Sequence, residues 1–158
     1  GYSALLNQNA GTNARNVAIG YTAGTNITTG NFNTLIGGLA ADALTTGGRN
    51  VAVGYSALST EDTGSRSVAI GYGSLFTQNN DDTNYNTAVG HNSGLSITTG
   101  VKNTIMGGLA ADALTTGSNN IVIGYNAAAS AVDVSNEITL GDSNITAFRC
   151  NDLSLIHI

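Results

Sequence analysis

The sequence has no proline or tryptophan, one cysteine, one methionine, and only five lysines and arginines in 158 residues. Charged residues make up 9% of the chain and hydrophobic residues 41%, the reverse of a disordered chain, which carries much charge and little apolar content. Few long side chains remain to fill a compact globular core; the dominant Gly, Ala, Ser, Thr and Asn, with β-branched residues, suit tightly stacked strands instead. The five cations are scattered along a chain of net charge −5, so no stripe that tracks phosphates is expected, and nucleic acid is not an expected partner. No apolar run approaches the roughly 20 residues a membrane helix needs, so membrane insertion is not expected. No signal peptide is visible, but the sequence begins at Gly1 rather than Met, so its absence says nothing of a parent protein. Cys150 is alone, which excludes an intrachain disulfide and reads as an unreactive packed thiol. No Ser/His/Asp or Cys/His set has a workable spacing, and no glycine is followed by the Lys-Ser or Lys-Thr of a phosphate loop. The expectation is therefore no enzyme, with no catalytic, cofactor-binding or metal-binding residues.

What the sequence does contain is a repeat. Taking Asn50-Val51-Ala52-Val53-Gly54-Tyr55 as a ruler, equivalent glycines fall at Gly1, Gly20, Gly37, Gly54, Gly71, Gly90, Gly107, Gly124 and Gly141. Their spacings run 19-17-17-17 twice, so a 70-residue super-repeat overlies a coil of about 17 residues; GGLAADALTTG occurs at both Gly37 and Gly107.

Each column of the repeat has its own chemistry. One residue before the ruler Gly stand Ile19, Ile36, Val53, Ile70, Val89, Met106, Ile123 and Leu140; three before it stand Val17, Thr34, Val51, Val68, Thr87, Thr104, Ile121 and Ile138. The two columns share a parity, so on a strand they face one way, and the interior of the stack is expected on that side. Four before the Gly, Asn16, Asn33, Asn50, Asn86, Asn103 and Asn120, with Ser67 and Glu137 as exceptions, read as an amide ladder at a strand entrance. Thr-Gly pairs at Gly30, Gly47, Gly64, Gly100 and Gly117 mark a second turn. Between the turns a shorter strand is expected, holding Ile27, Leu44, Ile97 or Leu114. The stretch Leu39–Leu44 allows a local helical turn, but six residues make a marginal helix and the same register elsewhere reads Gly-Thr-Asn-Ile-Thr-Thr. The opposite strand parity, Ala18, Leu35, Ala52, Ala69, Ala88, Ile105, Val122 and Thr139, is also apolar or small. A strand apolar on both faces is covered on both, and a second chain is expected to cover the face that the roll itself does not.

Some columns suggest function. Tyr2, Tyr21, Tyr55, Tyr72 and Tyr125, with His91, follow the ruler Gly; they form either a packed ring stack or an aromatic strip for carbohydrate or surface contact. His91 and His157 are single imidazoles without metal-ligand partners. Glu61-Asp62 and Asp81-Asp82 are expected in solvated turns, the second in a bulged loop of the longer coil; they match no established calcium loop. Thr28-Thr29, Thr45-Thr46, Thr98-Thr99 and Thr115-Thr116 raise an ice-binding array, but the row fails between Thr63 and Thr99.

Ser67-Val68-Ala69-Ile70-Gly71-Tyr72-Gly73-Ser74 resembles the head repeat of YadA-like trimeric autotransporter adhesins, and Asn16–Gly20 and Asn50–Gly54 resemble it nearly as well. The resemblance covers about Gly1 to Gly141 and implies a left-handed parallel β-roll that trimerises; the coils are longer than that family's usual repeat. Asn136-Glu137-Ile138-Thr139-Leu140-Gly141 and Ile145–Arg149 resemble the segment preceding the intramolecular chaperone domain (endosialidase type) of phage tail fibres and tailspikes. Leu153-Ser154-Leu155-Ile156-His157-Ile158 resembles the translation of a sequencing-library adapter.

The resulting expectation is an all-β fold: a parallel β-roll or β-solenoid of about nine coils of 17–19 residues, left-handed and trimeric. It spans 1–146, with a connector at 147–152 toward a missing C-terminal domain and a non-native tail at 153–158; both ends read as cut. The expected role is a structural or adhesive segment of a phage tail fibre on the virion, a homotrimer able to meet a host-surface glycan or protein. The head of a bacterial trimeric adhesin on the cell surface is the alternative, and an ice-binding solenoid a minor one.

Overall fold

The computed structural model describes residues 1–9, 11 and 14–149; Cys150 and the segment 153–158 with His157 lie outside the described residues. Each coil contributes one three-residue strand ending just before its ruler glycine: β1 Val17–Ile19, β2 Thr34–Ile36, β3 Val51–Val53, β4 Val68–Ile70, β5 Thr87–Val89, β6 Thr104–Met106, β7 Ile121–Ile123 and β8 Ile138–Leu140. The eight strands pair in chain order into one parallel sheet. The pairing keeps the repeat register, Ala18 beside Leu35 and Leu35 beside Ala52, and the 19-residue coil preserves it with Val68 beside Thr87. The chain is thus a parallel β-solenoid of about seven turns, without α-helix among the described residues. Seven steps of about 4.8 Å give a sheet roughly 34 Å long.

The sequence expectation is corrected on which face is inside. The middle residue of each strand points inward: Leu35, Ala52, Ala69, Ala88, Ile105 and Val122 are fully buried. The flanking columns, expected inside, point out, with Ile19 at 57%, Met106 at 50% and Ile138 at 67% exposure. The cause is volume. The coil is narrow, and close packing requires the two walls to trade size. Leu35 and Ile105 share their coils with Ala41 and Ala111, whereas Ala52 and Ala69 share theirs with Leu58 and Leu75. Where both positions of a coil are small, as at Ala18 with Gly24, the neighbouring coils fill the space: a Cβ on Gly24 would lie 2.6 Å from Leu35 Cδ1 and 3.2 Å from Leu5 Cδ2. A uniform column of Ile and Val on the inner face would overfill this lumen.

The expected second strand does not form. Ile27, Leu44, Ile97 and Leu114 are fully or almost fully buried, but they sit in runs of turns. After the ruler glycines from Gly1 to Gly107 the backbone alternates into the left-handed region, as at Leu39 (φ 58°) and Ala41 (φ 46°) or Ser56 (φ 53°) and Leu58 (φ 57°). That alternation turns successive N–H groups to opposite neighbours: Leu39 N–H donates back to Tyr21 O (2.9 Å) and Ala41 N–H forward to Ala57 O (2.9 Å). These inter-coil bonds offset the steric cost of left-handed non-glycine residues. They also exclude the helical turn that Leu39–Leu44 allowed.

Two ladders fix the coil spacing. Gly20, Gly37, Gly54, Gly71, Gly90, Gly107 and Gly124 all have φ between 129° and 142°. A Cβ on Gly37 would sit 2.3 Å from Gly54 O, so stacking itself demands glycine. The asparagine column forms the second ladder, as its spacing predicted. Asn33 Oδ1 accepts the Asn50 N–H at 2.9 Å, and Asn50 Oδ1 accepts the Ser67 N–H at 2.9 Å. Each Nδ2 closes its own coil by donating to a carbonyl 14 residues on, Asn50 to Gly64 O (2.9 Å) and Asn103 to Gly117 O (2.9 Å). One side chain therefore joins coil to coil and start to end.

Candidate functional site

The outer face of the sheet is the largest apolar feature. Val17, Ile19, Ile36, Ile70, Met106, Ile121, Ile123, Ile138 and Leu140 lie exposed along β1 to β8 in two parallel columns. Parallel sheets are ordinarily covered on both faces, and this one is covered only on its inner face. The patch comes from the same columns the sequence singled out as aliphatic; only their direction differs from the expectation.

The aromatic column projects from the turn after the strand. Tyr2 stacks on Tyr21 with centroids 5.6 Å apart, Tyr55 on Tyr72 at 5.6 Å, and Tyr72 on His91 at 5.3 Å. The rings support one another and remain largely exposed. The stack is interrupted at Gly38, which holds the same register. A shallow groove of about 320 Å³ runs beside it, lined by Tyr55, Tyr72, Phe76, Leu95 and Asn92. Asn92 Oδ1 is buried there without a hydrogen-bond partner.

A second file corrects the expectation of scattered cations. Arg15, Phe32, Arg49, Arg66, Tyr85 and Lys102 each stand five residues before a ruler glycine, so they stack on one edge of the solenoid. Four of the five Lys and Arg in the chain are in this file. The Arg15 and Arg49 guanidinium carbons each lie 5.5 Å from the Phe32 ring centroid, and that of Arg66 lies 5.5 Å from the Tyr85 centroid. Sequence distances of 34, 17 and 36 residues hide the alignment until they are read as two coils, one coil and two coils.

Glu61 is not in a solvated turn. It occupies the core register of Ile27 and Leu44, fully buried. Oε1 accepts the Gly64 N–H at 2.7 Å; Oε2 accepts Gln78 Nε2 at 2.8 Å and Asn84 Nδ2 at 3.0 Å. Gln78 occupies the same register one coil on. It donates to Ser67 Oγ (2.9 Å) and accepts from Asn86 Nδ2 (2.8 Å). The pair thus replaces the amide that the asparagine ladder lacks at Ser67. Burial pushes the Glu61 carboxyl above the usual range, against hydrogen bonds from Gln78, Gly64, Asn80 and Asn84 that pull it down. At Glu137, the other departure from the asparagine column, hydrogen bonds from Ser130 and then Thr139 hold the carboxyl below the usual range.

Asp81 and Asp82 are exposed; Asp81 Oδ1 accepts from Thr63 Oγ1 at 2.9 Å and Asp82 Oδ1 from the Thr83 N–H at 2.7 Å. Among the described residues no group of three or more His, Cys, Asp and Glu side chains converges as a metal site would require. The threonine pairs make rows only two coils wide, and their first hydroxyls turn to the neighbouring coil: Thr45 Oγ1 donates to Asp62 O (2.9 Å) and Thr115 Oγ1 to Val132 O (2.9 Å). No helix is long and apolar enough to cross a membrane among the described residues. No family model, curated protein or solved structure matches the chain.

Proposed function

We propose that the chain is a rigid segment of a phage tail fibre: a left-handed, trimeric β-roll of about nine coils that spaces or forms a surface meeting the host cell. The exposed aliphatic face carries this reading. A single narrow roll leaves it in water, whereas three copies around a common axis bury it. Each half-exposed Ile, Val, Leu or Met then contributes about 1 kcal/mol from the area still to be covered. Its work is mechanical and extracellular, and the reading assigns it no catalysis. The resemblance of Asn136–Gly141 to the segment ahead of phage fibre chaperone domains supports the fibre over the adhesin head, which the Ser67–Ser74 motif supports instead.

Two measurements test this. Sedimentation equilibrium of the purified chain is expected to give a trimer that dissociates when Ile36 and Met106 are both changed to Asp; a stable wild-type monomer refutes the assembly. Labelled wild-type chain is then incubated with a panel of bacteria and with surfaces coated with animal matrix proteins. Binding to particular bacteria supports the fibre. Binding to matrix alone favours the adhesin head and counts against the fibre.

A further inference from the structure

We propose that the file Arg15–Phe32–Arg49–Arg66–Tyr85–Lys102 binds a linear anionic polysaccharide laid along the solenoid, its carboxylates or sulfates meeting the file's cations. The inference deepens the host-contact reading above and rests on it, but it names a ligand and an edge of the molecule which that reading leaves open.

Three observations carry it. The first is stacking. The backbone of the file is locked between coils, with Arg49 N–H donating to Asn31 O at 3.0 Å, Arg66 N–H to Gly48 O at 3.1 Å and Lys102 N–H to Asn84 O at 2.8 Å. The cations therefore repeat with the coil rise, at intervals of about 10, 5 and 10 Å. The second is preorganisation. Arg15 and Arg49 both rest on Phe32, and Arg66 rests on Tyr85 while its Nη1 donates to Thr83 Oγ1 at 3.0 Å. Ring contacts take up guanidinium faces and leave N–H edges for a planar anion, at a smaller entropy cost than for free side chains. All six side chains of the file are exposed.

The third is charge segregation. Asp42 and Asp112 stand five residues after a ruler glycine, Asp62, Asp81 and Asp133 eight to ten after one and Asp142 directly after one, away from the file's register, whereas Asp82 adjoins the file, its carbonyl accepting the Ser65 N–H at 3.2 Å and its Oδ1 engaged by the Thr83 N–H at 2.7 Å. Glu137 lies two coils beyond Lys102 with its carboxylate engaged by Ser130 and Thr139. The chain of net charge −5 thus keeps one basic edge.

The spacing selects the polymer. A nucleic-acid strand carries a phosphate about every 3.4 Å, denser than this file, and its charge is repelled by the rest of the chain. A polysaccharide with one acidic group on every second ring has sparser charge, and bidentate Arg–carboxylate or Arg–sulfate pairs fit it.

The test is isothermal titration of the assembled chain at low salt with three probes: hyaluronate oligosaccharides (one carboxylate per disaccharide), neutral dextran and oligo-dT. Hyaluronate is expected to bind, and the binding to vanish near 1 M salt, where the screening length falls to about 3 Å. Arg49→Gln with Arg66→Gln is expected to weaken it at least tenfold, Lys102→Gln alone about threefold, and Thr116→Ala not at all. The proposal is overturned if wild type ignores hyaluronate, if dextran binds equally, if oligo-dT binds more tightly, or if the double variant, folded by circular dichroism, binds as wild type. The salt dependence of wild type tests it even where the double variant fails to fold. Loss of hyaluronate binding with retained adsorption to bacteria would sink this site and leave the fibre reading standing.

Discussion

Asn103→Ala tests whether the amide ladder, rather than the aliphatic core alone, holds the coils in register. Asn103 Oδ1 accepts the Asn120 N–H at 3.0 Å and Asn120 Nδ2 at 3.1 Å, while Asn103 Nδ2 donates to Gly117 O at 2.9 Å. Alanine removes all three bonds. Asn120 Nδ2 keeps a second acceptor in Val134 O at 2.8 Å. The Asn120 N–H and the Gly117 carbonyl are left without their partner in a buried site. At about 1–3 kcal/mol for each buried group left unsatisfied, two groups cost roughly 4 kcal/mol. Ser67 supplies the internal control. Ser67→Ala removes one acceptor from Gln78 Nε2, which still donates to Glu61 Oε2 at 2.8 Å, so it should cost about 1 kcal/mol. Stacked coils need not unfold as one unit. The assay is therefore amide hydrogen exchange at Asn120 and Thr104 beside a urea titration. Asn103→Ala within about 0.5 kcal/mol of wild type, with protection at Asn120 retained, would refute the role given to the ladder.

Further outcomes follow from the same geometry. Glu61 binds its proton more tightly folded than unfolded, so its contribution to stability is full below the ordinary carboxyl pKa and is lost as pH rises from about 4.5 through the raised folded value; Glu61→Gln should remove that part of the slope in urea titrations across pH 4–8. Gly37→Ala places a Cβ 2.3 Å from Gly54 O and should prevent folding, whereas Gly11→Ala, at φ 63° with nothing within 4 Å, should cost about 1 kcal/mol by thermal melting. Ala52→Leu should destabilise by about 1–3 kcal/mol from overpacking; adding Leu58→Ala rebuilds the Leu35–Ala41 arrangement of the preceding coil and should recover most of it in a double-mutant cycle.

Much of the architecture was legible in the sequence because stacking constrains the same register in every coil. The ruler glycines, the asparagine column and the strand ending before each glycine follow from the spacing alone. The shorter second strand did not, since Ile27 and Leu44 report burial and not backbone conformation. Left-handed residues such as Leu39 and Ala41 carry no compositional mark; only the glycines at Gly24, Gly73 and Gly94 in these columns hint at them. Glu61 and Gln78 were hidden for a related reason. An acid beside an Asp reads as a surface turn, and its place in the core register shows only when aligned with Ile27 and Leu44.

The inverted faces have a more general physical cause. Both parities of the strand are apolar, so a period of two cannot choose between them. The uniform column looks like core because hydrophobicity is usually read residue by residue. In a stacked coil the interior is a shared volume, and its signature is anticorrelation: Leu35 with Ala41, Ala52 with Leu58, Ile105 with Ala111. The outer columns show none of it. They are uniformly Ile, Val, Leu, Met or Thr, as expected of a surface that meets a repeating partner and not an opposing wall of variable size. The file of cations comes into view in the same way, for Arg15, Phe32, Arg49, Arg66, Tyr85 and Lys102 fall into one register only when positions are compared coil by coil. In this fold the buried asparagine ladder and the outward aliphatic columns are both constant along the rod, so constancy alone selects no face; the trade of size between Leu35 and Ala41 or Ala52 and Leu58 is what marks the packed interior.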